Sequence, residues 1–252
     1  MANRPVTLVT GASAGLGAEF ARQCAAKGQE LVLVARRRER LDALAAELGG
    51  AHVLDADLAG PGAPARVIAE VAALGLTIET LINNAGFGLA GRFDAQPPDR
   101  QTEMIDLNVR ALTELCRLVL PEMRERRRGF ILNVASTAAF QAGPNMAVYY
   151  AGKAYVLSLS EALHQEAKGS GVHVTALCPG PVKTEFFEVA GAANSRLARM
   201  GADPVKVVRA GLEGLERNRA IVVPGLMNKV TSQSSRFLPR AAMRRIVAAI
   251  KV

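Results

Sequence analysis

The chain has 252 residues, half of them apolar and 21% charged, with a formal net charge of +8 and no tryptophan. One large domain over residues 1–252 with a substantial core is expected at this length, and an aromatic content of 4% leaves no stacking platform for single-stranded nucleic acid. The basic excess is local: Lys229, Arg236, Arg240, Arg244, Arg245 and Lys251 stand in 226–252 without one acid, so residues 1–225 carry only +2, which argues against a broad nucleic-acid surface.

In chain order, short apolar runs at Val6–Thr10, Leu31–Ala35, His52–Asp55, Thr80–Asn83, Phe130–Ala135, His173–Cys178 and Ala220–Val223 read as strands. Helical patterns separate them; in Arg38–Leu48, for example, Leu41, Leu44, Ala45 and Leu48 recur at helical spacing. Strands without polar alternation fit a parallel sheet covered on both faces. The rhythm predicts a single α/β domain: a doubly wound, Rossmann-type parallel sheet of about seven strands, with helices on both faces and a basic C-terminal helical tail. Such sheets bind ligands beyond the carboxyl ends of their strands.

Gly60-Pro61-Gly62-Ala63-Pro64 and Gln96-Pro97-Pro98-Asp99 read as turns and helix starts, and Asp203-Pro204 as an N-cap followed by proline at the first helical position. Segment 185–204, rich in Gly and Ala, is a lid candidate. Beyond Pro239, Met243, Ile246, Val247 and Ile250 share a helical stripe, with Arg240, Arg244, Arg245 and Lys251 around it. That stripe would suit an anionic membrane, the protein body or another subunit. Cys24, Cys116 and Cys178 are scattered through apolar segments as small core residues of a reducing compartment. His52, His164 and His173 lack ligand spacing, and no metal site is expected. With no signal-peptide pattern and no apolar run of about 18 residues, a cytoplasmic protein is expected.

The chemistry is concentrated in a few positions. Tyr149 and Lys153 lie one helical turn apart, so phenol and ammonium project from one face. A phenol ionises near pH 10, and a neighbouring cation can lower that by roughly one to three units. Ser136 stands thirteen residues upstream of Tyr149, and Thr10-Gly11-Ala12-Ser13-Ala14-Gly15-Leu16-Gly17 forms a glycine-rich strand-to-helix turn that offers backbone N–H groups to a phosphate. These parts together suit hydride transfer with a tyrosine moving the proton. At the end of the second strand, Ala35-Arg36-Arg37-Arg38 carries bases where an acid would favour NAD; the alternative is a solvated helix start.

The glycines at 11, 15 and 17 follow Thr-Gly-x-x-x-Gly-x-Gly. With Asn83-Asn84-Ala85-Gly86, Asn108, Ser136, Tyr149-x-x-x-Lys153 and Pro179-Gly180, they resemble the landmarks of the short-chain dehydrogenase/reductase family, in its order and spacing, over roughly residues 4–225. The resemblance implies an NADP(H)-dependent oxidoreductase, NAD(H) being disfavoured by the bases after Ala35. It implies catalytic roles for Asn108, Ser136, Tyr149 and Lys153, with Asn108 supporting a water that bridges to the lysine. It places cofactor against Gly11, Ser13, Ala14, Gly15, Leu16, Gly17, Arg36, Arg37, Asp57, Leu58, Asn84, Ala85, Gly86, Tyr149, Lys153, Pro179, Gly180, Val182 and Thr184. Asn83 more plausibly stabilises its strand, and Tyr150, off the helical register of Lys153, is a bystander. Substrate contacts are expected from Ser136, Phe140, Gln141, Phe186 and Phe187, with Phe87 to Phe93 and Met200 nearby, for a hydrophobic ketone, 3-oxoacyl or steroid-like molecule. A homodimer or homotetramer is implied through helices around Leu107–Met123 and Tyr149–Glu166. The alternative function is a non-catalytic NADPH-binding regulator or interaction protein.

Overall fold

Seven parallel strands form one sheet in the order β3-β2-β1-β4-β5-β6-β7, in a computed structural model that describes residues 4–249. The strands are β1 (Arg4–Thr10), β2 (Leu31–Ala35), β3 (His52–Asp55), β4 (Leu76–Asn83), β5 (Gly129–Val134), β6 (Val172–Leu177) and β7 (Ile221–Val222). The order reverses between β1 and β4, which are neighbours, so a crevice opens beyond their carboxyl ends.

Side-chain alternation divides the core into two layers. Val6, Leu8, Val32 and Val34 face one layer, closed by α3 (Ala63–Ala73), α5 (Leu112–Glu125) and α6 (Ala147–Glu166). Val9, Leu31 and Leu33 face the other, closed by α1 (Gly15–Ala26), α2 (Arg38–Glu47) and α9 (Pro204–Glu216). The expected doubly wound sheet is therefore present. Cys24, Cys116 and Cys178 are buried free thiols, and burial pushes each up to about 12.

Two elements differ from the sequence expectation. β4 begins at Leu76, four residues early, because Leu76, Thr77 and Ile78 pair with Arg4, Pro5 and Val6 before a register shift between Val6 and Thr7. The expected continuous helix from Leu107 is preceded by α4 (Pro98–Ile105) and a wider π-helical turn, Asp106–Ala111, that places Asn108 inward. Asp203 caps α9 as expected, accepting from the Val205 amide at 3.0 Å. The lid segment carries two single-turn helices, α7 (Phe186–Val189) and α8 (Arg196–Arg199), and Val182 pairs with Ala202 across it.

The tail forms α10 (Leu226–Phe237) and α11 (Arg240–Ala249). Of the expected apolar stripe, Met243 and Val247 are buried against the protein, whereas Ile246 is 49% exposed; Ile250 and Lys251 lie outside the described residues. No helix among the described residues is long and apolar enough to cross a membrane.

Candidate active site

The crevice is framed by two interlocked turns. Thr10, at the end of β1, accepts from the amides of Asn84 and Ala85 at 3.0 Å each and donates to the Ile82 carbonyl at 3.3 Å. The Asn84 side chain donates to the carbonyls of Thr10 and Gly11, at 2.9 and 3.3 Å. Asn84, expected beside cofactor, thus spends its amide on tying the turns together. Gly11 has φ +65°, and a Cβ there would lie 2.8 Å from the Ala85 Cα. At Gly17 a Cβ would lie 2.1 Å from the Gly11 carbonyl oxygen, so the helix passes too close for any side chain. No side chain caps α1 at Ala14, which leaves its first amides open to an anion. This cradle fits a dinucleotide pyrophosphate.

Past β2 the arginines are engaged with carboxylates. Arg36 meets Glu103 at 3.0 Å. Arg37 donates to the Ser13 hydroxyl at 3.1 Å and to Glu185 at 3.0 Å, and Arg40 reaches the same carboxylate at 2.6 Å. Those bonds, Arg40 first and then Arg37, hold Glu185 below the usual carboxylate range. Arg38 turns away to Asp42 and Asp55. Asp57 is exposed and accepts from the Ala59 amide at 3.0 Å, while Leu58 is buried. A cavity of about 360 Å³ lies between Asp57 and the α4 side chains Asp99, Thr102 and Glu103. Arg40 and Glu185 escaped the sequence reading, although an acid directly after Thr184 facing an arginine run was the available signal.

Ser136 ends the loop after β5 and caps the short helical turn Thr137–Phe140, accepting from the Ala138 amide at 3.1 Å. Tyr149 lies in the first turn of α6, where the Ser136 hydroxyl is close enough to draw its phenol toward ionisation. The spacing argument expects a phenol pulled down by Lys153; instead burial raises Tyr149 to about 12, the Ser136 hydroxyl only partly opposing it. The reason is where the ammonium points. Lys153 Nζ donates to the Val134 carbonyl at 2.7 Å and lies 5.8 Å from the Tyr149 ring centre. Only 6% exposed, Lys153 is itself lowered by desolvation to about 8. Asn108 spends both polar atoms on the Phe87 backbone, accepting from its N–H at 3.1 Å and donating to its carbonyl at 2.8 Å. It therefore sets the course of the loop after Gly86. Asn83 donates to Asn133 at 2.9 Å inside the sheet, in keeping with a strand-stabilising role.

The wall opposite Tyr149 is apolar. A Cβ on Gly88 would stand 2.9 Å from both Met146 and Phe186 and 3.4 Å from Tyr149, so the three side chains converge on that glycine. Phe186 packs on Tyr149 with ring centres 5.2 Å apart, and Phe187, buried, packs edge-on to Phe186. Met146 was missed in the sequence, lying just before the helix that carries Tyr149. Phe140 and Gln141 sit elsewhere than expected: they line a separate cavity of about 630 Å³ with Tyr150, Arg240 and Met243, and neither Ser136 nor Tyr149 borders it. The loop turns there because Tyr150 packs against Gly143, leaving no room for a Cβ. Phe93 and Met200 point to solvent, 62% and 66% exposed.

After β6, the Pro179 carbonyl accepts from Thr137 N–H at 2.8 Å, and Asn228 of α10 closes on Gly180. Val182 is buried, and Thr184 lies over Gly15, where a Cβ would be 3.2 Å away. The lid thus starts directly above the pyrophosphate cradle. The histidines have ordinary partners: His52 meets Glu30, His164 the Val174 carbonyl and His173 the Leu215 carbonyl.

Comparison with known proteins identifies the family. The short chain dehydrogenase family model matches residues 5–195. The NADP-dependent 3-hydroxy acid dehydrogenase YdfG of Salmonella typhi is 42% identical over 191 residues, which cover 73% of this chain and 75% of that protein. A sulfoacetaldehyde reductase of Chromohalobacter salexigens is 42% identical over 187 residues, covering 71% of this chain and 72% of its own. Among solved structures, a short-chain dehydrogenase from Sphingobium yanoikuyae in complex with NADPH superposes with a TM-score of 0.81 at 34% identity, covering 94% of this chain and 97% of that one.

Proposed function

The chain belongs to the short-chain dehydrogenase family and is an NADP(H)-dependent oxidoreductase, and from that premise we propose that it interconverts a hydrophobic carbonyl compound and its alcohol, with Tyr149 moving the proton. The observation that carries this reading is the Tyr149 phenol, beside the Ser136 hydroxyl, one turn from buried Lys153 and facing the apolar wall of Met146 and Phe186.

NADPH, when bound, supplies the hydride. The residues that would hold it are the Gly11–Gly17 turn with Ser13, Ala14, Gly15 and Leu16, the Arg36 and Arg37 side chains, Asp57 and Leu58, Ala85 and Gly86, and the Pro179, Gly180, Val182 and Thr184 turn. In reduction, Ser136 orients the carbonyl oxygen and Tyr149 gives it a proton; in oxidation the phenolate takes the proton back. Near neutral pH, Lys153 still carries charge, its amine pushed down to about 8 by burial; with the ammonium on the Val134 carbonyl, that charge acts on the phenol only across the ring, from 5.8 Å. Asn108 acts at one remove, by fixing the Phe87 backbone and with it the loop that leads to Gly88. Met146, Gly88 and Phe186 shape the space beside the reacting carbon and favour an apolar substituent there. The exposed Leu118 of α5 and Tyr155 of α6 mark the face on which a second copy would sit.

The test is NADPH consumption against short aldehydes, 3-oxo acids, 3-oxoacyl thioesters and steroid ketones. Turnover is expected to favour members with an apolar group next to the carbonyl. Tight NADPH binding with no turnover on any class would overturn the reading in favour of a cofactor-binding regulator.

Glu185 gives a second expectation. Its carboxylate occupies Arg37, which with Arg36 is expected to take a 2′-phosphate, and the neighbouring Arg40. Glu185→Gln removes that competitor and a like charge, so NADPH should bind several-fold more tightly while NADH, lacking the phosphate, changes little. Fluorescence titration with both nucleotides decides: equal changes for the two would mean that Glu185 acts through the lid and not on the phosphate site.

A further inference from the structure

α10 is amphipathic in the wrong sense for a helix that belongs wholly to its own protein. Asn228 and Ser232 face the body, Ser232 being 2% exposed and Asn228 resting against Gly180. Leu226, Val230 and Phe237, which recur at i, i+4 and i+11 and so share one stripe, face solvent at 79%, 61% and 83% exposure. Met227 beside them is 74% exposed. A run of large apolar groups turned outward on a single helix marks a contact surface.

The charge around the stripe selects its occupant. Lys229 on α10 and Arg240, Arg244 and Arg245 on α11 are exposed, Arg240 and Arg244 bordering the cavity lined by Phe140 and Tyr150, and none of them pairs with a carboxylate among the described residues. From residue 226 to the end, the chain has no acid at all. Two copies meeting through this face would bring like charges together, whereas an anionic surface satisfies them. A flat bilayer also matches the shape, since the stripe is convex and runs the whole helix.

We propose that α10 lies on an anionic lipid bilayer, with Leu226, Met227, Val230 and Phe237 entering the headgroup–acyl boundary and the basic side chains of α10 and α11 against the phosphates. This assigns the membrane-facing side to α10, because Met243 and Val247 of the α11 stripe are spent on packing and Ile246 alone of its described members is exposed. The helix touches Gly180 through Asn228, so the attached protein holds the turn after β6 close to the lipid surface. The proposal does not depend on the reaction assigned above.

The experiment is co-sedimentation of the full chain with vesicles of phosphatidylcholine alone or mixed with phosphatidylglycerol, alongside Val230→Glu/Phe237→Glu. Both positions are exposed and outside the site, so NADPH binding should be retained and reports that the variant is folded. The parent protein is expected to bind the mixed vesicles, to be released by salt, and to bind phosphatidylcholine poorly; the variant should bind roughly tenfold more weakly or worse. Equal partitioning of parent and variant would overturn the proposal. So would a parent that ignores vesicles yet loses mass in sedimentation velocity on substitution, which would make this face a subunit contact.

Discussion

Tyr149→Phe is expected to lower kcat by roughly 10²–10⁴-fold while leaving NADPH affinity nearly unchanged. The substitution removes one oxygen and nothing else that packs: the ring keeps its contacts with Phe186 and its place beside Gly88. Without the phenol, the carbonyl oxygen retains Ser136 to orient it but has no group that can deliver a proton. The defect should therefore appear in kcat with KM little altered, the pattern of an interaction made in the transition state. Steady-state kinetics with NADPH titration on the same preparation checks it. A loss confined to KM would mean that Tyr149 only binds substrate.

Lys153→Met should separate activity from stability. Turnover is expected to fall by about 10²-fold or more, because the cation that favours the phenolate is gone. Stability should respond with the opposite sign, and the pH dependence shows why. Burial pushes the amine down to about 8 in the folded protein, against the ordinary 10.5 of an unfolded chain. Between those values the unfolded chain binds more protons, so this group makes the fold more stable as pH rises from about 8 to 10.5 and contributes its full penalty below 8. At about 1.4 kcal/mol per pKa unit, that penalty is roughly 3 kcal/mol at most. Methionine removes it, and the Val134 carbonyl loses a donor, which returns about 1–3 kcal/mol of cost. The three thiols and Tyr149, all raised, act in the other direction from about pH 9 upward; Cys24, Cys116 and Tyr149 do so alike in both proteins, whereas Cys178, which the Lys153 charge lowers, responds together with the lysine. The difference in denaturant stability between parent and variant, followed from pH 7 to 10, isolates the lysine. It should shift toward the parent as pH rises; a difference independent of pH would show that Lys153 keeps its charge in the fold throughout, as it does in the unfolded chain.

The sequence made the frame of this site legible because its signals are local. β2 and β3 end where the apolar runs end, and glycines 11, 15 and 17 sit where a helix must pass close to a turn. Tyr149 and Lys153 share a helix, so four residues of spacing suffice to put them on one face. What spacing cannot fix is the direction of a long side chain. The same four residues that bring Lys153 near the phenol also let its ammonium reach the Val134 carbonyl, so burial and not the cation decides the shift of Tyr149. Glu185 and Arg40 are 145 positions apart, and the signal for their meeting, an acid after Thr184 and an arginine run after β2, shows only once the two segments meet beyond the carboxyl ends of their strands. Phe140 and Gln141 follow Ser136 closely in sequence, yet the turn at Gly143 carries them to another cavity. In the tail, periodicity revealed an apolar stripe on α11 but not which helix would turn its apolar side outward. That depended on the Pro179-Gly180 turn accepting Asn228, a contact between distant segments.

The single hydroxyl of Thr10 has a kinetic meaning. By holding two amides and a carbonyl of the β4 turn, it makes one bank of the nucleotide groove a rigid quay, already in its final shape before anything arrives. The far bank is moored to it across the water by exposed charge, through Arg37, Arg40 and Glu185. Docking then costs little ordering on one side, and departure waits on the other side casting off. The expected consequence is that spent nucleotide leaves faster as ionic strength rises, which release kinetics across a salt series would check.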